Sequence, residues 1–338
     1  MFVTFLAIVL RSTTATVFVT ILWSANCLCA QETTIDFGRY HRCPVIQNGA
    51  TRVVFCPEVG GRILEYSLRG TNALFVSKYD QGIDDPNSSW KSDPSAGRFD
   101  IGPEMIVPKR DELFRGKWEV ERVDGLSLRM TSQKSPATGV QLIREFQLDA
   151  TSSRLRCTQK ILNVSEQVVQ YCHWSRTLAA GAGIVLVALD GHARFPKRYV
   201  RYEGGGILSR PEDPGIRIRD GFLEIIGPPT TPKLGMDSFA GWVAHQQSTG
   251  LLFVKQYPTF PNRLYNEVAG ITLSTWAPAT GETVEIEPIG PAETIQPGGQ
   301  ATFTETWWLL DGEYPQDGEQ IDLDQMRRHF TELSNAAK

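Results

Sequence analysis

Histidine is scarce in this sequence, with five in 338 residues, and no H-x-H, H-E-x-x-H or C-x-x-C spacing occurs. The motifs that usually hold a structural or catalytic metal are therefore missing, and no metal is expected. Phosphate-cradling patterns of the G-x-G-x-x-G and G-K-[ST] type are also absent. The one glycine run, Gly204 to Gly206, lacks the strand-to-helix setting such loops need. No G-x-S-x-G elbow of a serine hydrolase is found, and no cofactor is expected. Nor is there a basic run: 34 Lys and Arg stand against 38 Asp and Glu, for a net charge of −4. That excludes a nucleic-acid footprint and points to small partners, neutral or weakly charged. Internal repeats, coiled-coil heptads and low-complexity segments are missing too.

What is present is a full complement of core residues, 41% apolar against 21% charged, as in an ordinary globular protein. The length suits one large β domain or two smaller ones. The N-terminus reads as an export signal: "TVFVTILW" (16–23) follows Arg11 and leads to "SANCLCAQ", with cleavage after Ala30. An uncleaved anchor is the alternative, but Arg11 and the Ser/Thr run after it interrupt the ~20-residue apolar span a membrane helix needs. Cys27 and Cys29 lack the context of a lipidated cysteine. The mature protein is thus expected to be secreted or periplasmic, with no stable membrane association. Residues 31–315 would form the domain and 316–338 a helical tail.

Cleavage leaves Cys43, Cys56, Cys157 and Cys172. In "CPVIQNGATRVVFC" the first two are symmetric about Asn48, Gly49 and Ala50. In "CTQKILNVSEQVVQYC" the second two are symmetric about "NVSE" (163–166). Two hairpins would bring each pair together, and an oxidising compartment would allow both disulfides. Free thiols in a reducing compartment are the alternative.

About thirteen short runs of apolar alternation, such as "RILEYSL", "VQLIREFQL" and "ATFTETWWLL", are separated by turn signals. Only the tail reads as a helix: from Asp322 onward, Leu323, Met326, Phe330 and Leu333 recur at helical spacing. The fold class is all-β. Two stretches, 79–97 and 201–215, read as long loops.

If Cys157 faces Cys172, then His173 faces Arg156 and Tyr171 faces Thr158, because strand side chains alternate. One face of that hairpin carries Arg154, Arg156, Thr158, Lys160, Tyr171, His173 and Ser175. The other, with Leu155, Cys157, Ile161, Val168, Cys172 and Trp174, is the expected core. The same alternation in "TVEIEPIGP" puts Glu285 and Glu287 on one face. Histidine and glutamate offered to one surface would suit general acid–base work.

"ILNVSEQVVQYCHWSRT" (161–177) resembles the galactose mutarotase (aldose 1-epimerase) pattern of strand, Asn-led turn and strand ending in His and an aromatic residue. "VEIEPIGPAETIQPGGQATFTETWWLL" (284–310) is similar to the C-terminal mutarotase pattern, and "VGGRILEYSLRGTNALF" (59–75) looks like its opening hairpin. The combination is most similar to a family of exported bacterial domains of unknown function assigned that fold. The resemblance implies a β-supersandwich with a concave sugar-binding sheet and a short C-terminal helix. It implies His173 as the acid protonating the ring oxygen and Glu287 as the base on the anomeric hydroxyl, with Glu285 second. Mutarotases usually carry a further histidine in the first half; residues 44–172 contain none.

In that region "GRFDIGPE" offers Arg98, Asp100 and Glu104, either to an acidic sugar or to a structural ion pair. Arg62, Arg156, Tyr171 and Lys255 complete the expected carbohydrate-binding set. Arg62 follows glycines that let backbone approach a ligand, or that merely form a bulge. His192, Arg194, Lys197, Arg198 and Arg201 cluster as an anion site or a solvated loop. Trp90, in a polar loop, is placed to stack on a sugar ring. The expected partner is a small or oligomeric carbohydrate. The expected function is that of an exported carbohydrate-binding protein, with two classes left open: a sugar epimerase using a His acid and a Glu base, or a non-catalytic binding module; a polysaccharide lyase-type relative is more remote.

Overall fold

Short alternating runs without helix-period apolar faces condense into sheets, and here they form two, every ladder antiparallel. The computed structural model describes residues 33–84, 88–190, 193–316 and 319–336. The expected signal segment, Cys27, Cys29 and His192 lie outside the described residues. From Thr33 onward the chain forms one compact unit.

The larger sheet has thirteen strands and the smaller ten. This exceeds the runs legible in the sequence because strands such as Thr71–Asn72, Glu293–Ile295 and Gly206–Leu208 are too short to alternate visibly. The last of these corrects an expected loop: within 201–215, Val200–Glu203 and Gly206–Leu208 pair as a hairpin. Its turn uses Gly204 and Gly205 at φ +59° and +81°, a left-handed conformation that glycine adopts without strain. At the centre of the larger sheet run Gly97–Gly102, Val169–Ala180, Thr283–Pro288, Leu273–Trp276 and Lys233–Met236, hydrogen-bonded in that order.

The sheets enclose a core that includes Phe55, Ile63, Phe99, Ile101, Phe253, Phe303 and Trp307. The C-terminal helix, Leu323–Ala336, forms where its spacing predicts. Asp322 caps it, its carboxylate accepting from the backbone N–H groups of Asp324 and Gln325. Leu323, Met326, Phe330 and Leu333 are buried against Leu186, Leu252, Val254 and Trp308 of the ten-stranded sheet.

Two sequence expectations fail here for one reason. Leu155–Asn163 and Val169–Ala180 do not form a hairpin. The first pairs with Val140–Leu148 and Gln300–Asp311 in the smaller sheet; the second pairs with Gly97–Gly102 and Thr283–Pro288 in the larger. Asn163 turns the chain between them, its Nδ2 donating to the carbonyls of Gln167 and Ile295. Cys157 therefore faces Phe146 and Glu305, Cys172 faces Gly102, and no Cys157–Cys172 bond forms. The turn at Asn48 does join a hairpin as expected, but Cys43 and Cys56 also stand as buried free thiols.

Candidate functional site

The parity of one strand decides which side chains reach solvent. Leu155–Asn163 alternates as expected, with Leu155, Cys157 and Ile161 buried and Arg156 exposed. Val169–Ala180 is covered on both faces, so its polar residues had suggested the wrong side. His173, Ser175 and Thr177 point between the sheets. His173 is wholly buried, its ring stacked between Phe99 and Phe303 at 6.0 and 5.5 Å. Its ring nitrogens make no well-aligned hydrogen bond among the described residues, and the backbone of Ala301 and Gln159 near the ring only partly offsets its burial. Burial drives its pKa down to about 3, so it is neutral. The expected acid position is thus a core position.

The opposite parity builds the outer face. Register sets Arg98 against Arg176 and Trp174 against Asp100. It sets Leu178 against Glu285, and Glu285 against Trp276, which faces Lys233. Two guanidiniums directly opposite would repel, and Glu285 bridges them. Its carboxylate accepts from Arg98 Nη2 and, at 3.1 Å, from Arg176 Nε. Arg98 also pairs with Asp93. Behind them Asp100 accepts from Arg110 at 2.7 and 2.6 Å. Lys233 pairs with Glu104 and stands over the rings of Trp174 and Tyr202.

These residues line a pocket of about 320 Å³, walled by Trp90 and Trp276 and floored by Arg98, Arg176, Glu285 and Glu287. Glu287 Oε1 lies 3.4 Å from Arg176 Nε; Oε2 is buried without a well-aligned hydrogen bond, and Ser274 on the neighbouring strand is the polar group that approaches the carboxyl. The two glutamates, one turn of alternation apart, titrate in opposite directions. Burial opposes ionisation of Glu285, but Arg176 and Arg98 overcome it and hold the carboxyl down at about 2. For Glu287, burial and then the Glu285 charge push it up to about 7. The pair therefore carries one exchangeable proton near neutrality.

Of the expected site residues, Trp90, Arg98, Glu104, Glu285 and Glu287 converge here, whereas His173, Arg62, Arg156, Tyr171 and Lys255 do not. Arg62 is buried in a double pair with Asp80, at 3.0 and 3.1 Å, and donates to Tyr40 and the Ser95 carbonyl. It ties together both ends of the 79–97 segment that carries Trp90. Lys255 is buried between the sheets against Glu305 at 3.1 Å. Arg156 projects from the smaller sheet, and the Tyr171 hydroxyl donates to the Thr138 carbonyl. In the basic cluster, Arg194 is paired with Asp237, Lys197 with Glu212 and Arg201, in the Val200–Glu203 strand, with Glu203. Arg176, Lys233 and Trp276 were missed. Arg176 shares parity with Trp174, so turning that strand over would have found it; Lys233 sits in a four-residue strand with no pattern to read.

No protein-family model and no curated protein matches the chain. Solved structures do match. A galactose mutarotase-like protein from Clostridium acetobutylicum aligns with TM-score 0.56 at 12% identity, covering 82% of this chain and 97% of its own. Another from Lactobacillus casei gives 0.56 at 10% identity, with 79% and 100% covered. A galactose mutarotase related enzyme from Lactobacillus acidophilus gives 0.52 at 9%, with 81% and 99% covered. The fold defines the class: an all-β sandwich. In particular, the chain has the galactose mutarotase-like fold.

Proposed function

We propose that this pocket binds a carbohydrate and that Glu287 exchanges a proton with a sugar hydroxyl, as in an aldose 1-epimerase. The observation that carries this reading is Glu287 itself: buried on the floor of a ligand-sized pocket, its carboxyl pushed well above the usual range by burial and by the Glu285 charge. Ionised Glu287 takes the anomeric hydroxyl proton. The C1–ring oxygen bond breaks, its electron pair goes to the ring oxygen, and the Lys233 ammonium supplies that oxygen with a proton. Rotation about C1–C2 and the reverse transfers close the other anomer. Trp90 and Trp276 would stack on the ring. Export fits the same reading, since a sugar-processing protein with an N-terminal signal would work in the periplasm or outside the cell.

One observation favours binding without turnover: among the described residues no histidine lines the pocket, and its cations are already paired with carboxylates. Anomeric exchange measured by NMR separates the two. Neutral hexoses, deoxysugars and uronic acids are mixed with wild type, Glu287→Gln and Lys233→Met. An epimerase accelerates exchange of at least one sugar, and Glu287→Gln loses on the order of 100-fold or more. Line broadening without acceleration identifies a binding module. A panel with neither effect, or full activity in Glu287→Gln, rejects the proposed role of the pocket.

A further inference from the structure

The pocket floor is held from below. Lys255, on the Leu251–Gln256 strand of the ten-stranded sheet, is fully buried and reaches across the sandwich. Its Nζ donates to Ser175 Oγ at 2.8 Å, Thr177 Oγ1 at 3.1 Å and the Ile286 carbonyl at 3.3 Å. Ser175 and Thr177 flank Arg176; Ile286 lies between Glu285 and Glu287. One ammonium thus grips, from the inner side, the two strand segments whose outer side forms the pocket floor. Glu305 fixes that ammonium at 3.1 Å and is itself held by Trp307 Nε1 at 2.7 Å and Gln159 Nε2 at 3.3 Å.

We infer that Lys255 is a positioning residue that sets the spacing between Arg176 and the Glu285–Glu287 pair. This rests on the reading of Glu287 as the proton-exchanging group. The reason is geometric. Ladder hydrogen bonds between Val169–Ala180 and Thr283–Pro288 set which residues lie opposite each other. A charged donor bonded to both fixes them to a common point, and charge-assisted bonds are the strong ones. At 3.4 Å, Arg176 Nε and Glu287 Oε1 lie where a small shift changes how far the guanidinium favours the ionised carboxylate. Glu285 on its own strand, Ser274 opposite it on Leu273–Trp276, and Lys233 also act on Glu287, and Tyr202 feels its charge. Those outer-face groups do not touch Lys255.

The test is the titration of Glu287, followed by NMR of the full chain labelled with 13C at glutamate carboxyls and assigned with Glu287→Gln. Lys255→Met alone strands the buried Glu305 charge and risks misfolding. The decisive variant is therefore Lys255→Met/Glu305→Gln, which removes one positive and one negative charge together and leaves the long-range field nearly unchanged. The expected result is an upward shift of the Glu287 midpoint by about one unit in a folded protein, as the Arg176 contact slackens. A folded double variant whose Glu287 titrates as in wild type overturns the inference. A second spectrum with the exchange-active or line-broadened sugar separates the two proposals: a shifted midpoint in a protein that handles no sugar keeps the clamp and rejects the function.

Discussion

Glu287 and His173 are both almost wholly buried, and burial drives their titrations apart because the charged form is the anion in one and the cation in the other. The stability consequences follow with opposite sign. Glu287 is raised above its ordinary 4.5, so its contribution is present at low pH and is lost as pH rises through about 7. His173 is depressed from 6.5 to about 3, so below pH 6.5 the unfolded chain binds a proton the folded one refuses. Stability is then lost as pH falls from 6.5 toward 3. Replacing His173 with Phe, between Phe99 and Phe303, removes both that penalty and two buried ring nitrogens without a well-aligned hydrogen bond. His173→Phe should be more stable by about 1 kcal/mol at pH 7.5, and the gain should grow at pH 5. Urea unfolding at the two pH values checks this, and a gain that shrinks at pH 5 contradicts it. The histidine was visible in the sequence, but its surroundings were not. A strand with Cys, Trp and Val on one parity and His, Ser and Thr on the other reads as half-buried. Only a second layer on each side, supplied by residues far along the chain, shows that both parities are covered.

At the scale of elements, the legible parts were those whose pattern is local. Asn48 was read as a turn, and its side chain does bond Ala50 N and Thr51 N while donating to the carbonyls of Asp149 and Ser152. The Glu285 and Glu287 alternation, the Leu155–Asn163 alternation and the C-terminal helix were equally local. Asn163 also starts a turn but sends the chain to the other sheet; Val164 follows it where Gly49 follows Asn48, so the Asn-Gly pair that favours a tight hairpin is missing there. The cysteines provide the contrast. The register that pairs Val45 with Val54 brings Cys43, two residues on, level with Cys56, whereas Cys157 and Cys172 lie in different sheets. Under oxidative refolding, peptide mapping by mass spectrometry should find the Cys43–Cys56 crosslink and no Cys157–Cys172 crosslink. The crosslinked protein should gain about 3 kcal/mol on the chain-entropy estimate for so short a loop. A dominant 157–172 crosslink in folded protein would contradict the two-sheet topology.

Across the whole molecule, the two outer faces have different tasks. The outer face of the thirteen-stranded sheet carries the polar pocket, with Trp90 and Trp276 in its lining, beside a small apolar cluster of Cys172, Trp174, Val200 and Ile271. The ten-stranded sheet presents Leu186, Ala244, Leu252, Val254 and Trp308, an apolar outer face that the helix covers. Exposing such a face would favour aggregation, so the helix stabilises the sandwich without touching the pocket. Phe330 is the test: it is buried in that contact and stacks on Trp242. Phe330→Ala should cost about 3–4 kcal/mol, seen as a lower urea midpoint. Below its unfolding transition, the midpoint of the Glu287 titration should stay where it is in wild type, because the interior layer of Lys255, Glu305 and Trp307 separates the two faces. If Phe330→Ala instead moves that midpoint while the fold persists, the helix is coupled to the pocket through the sandwich.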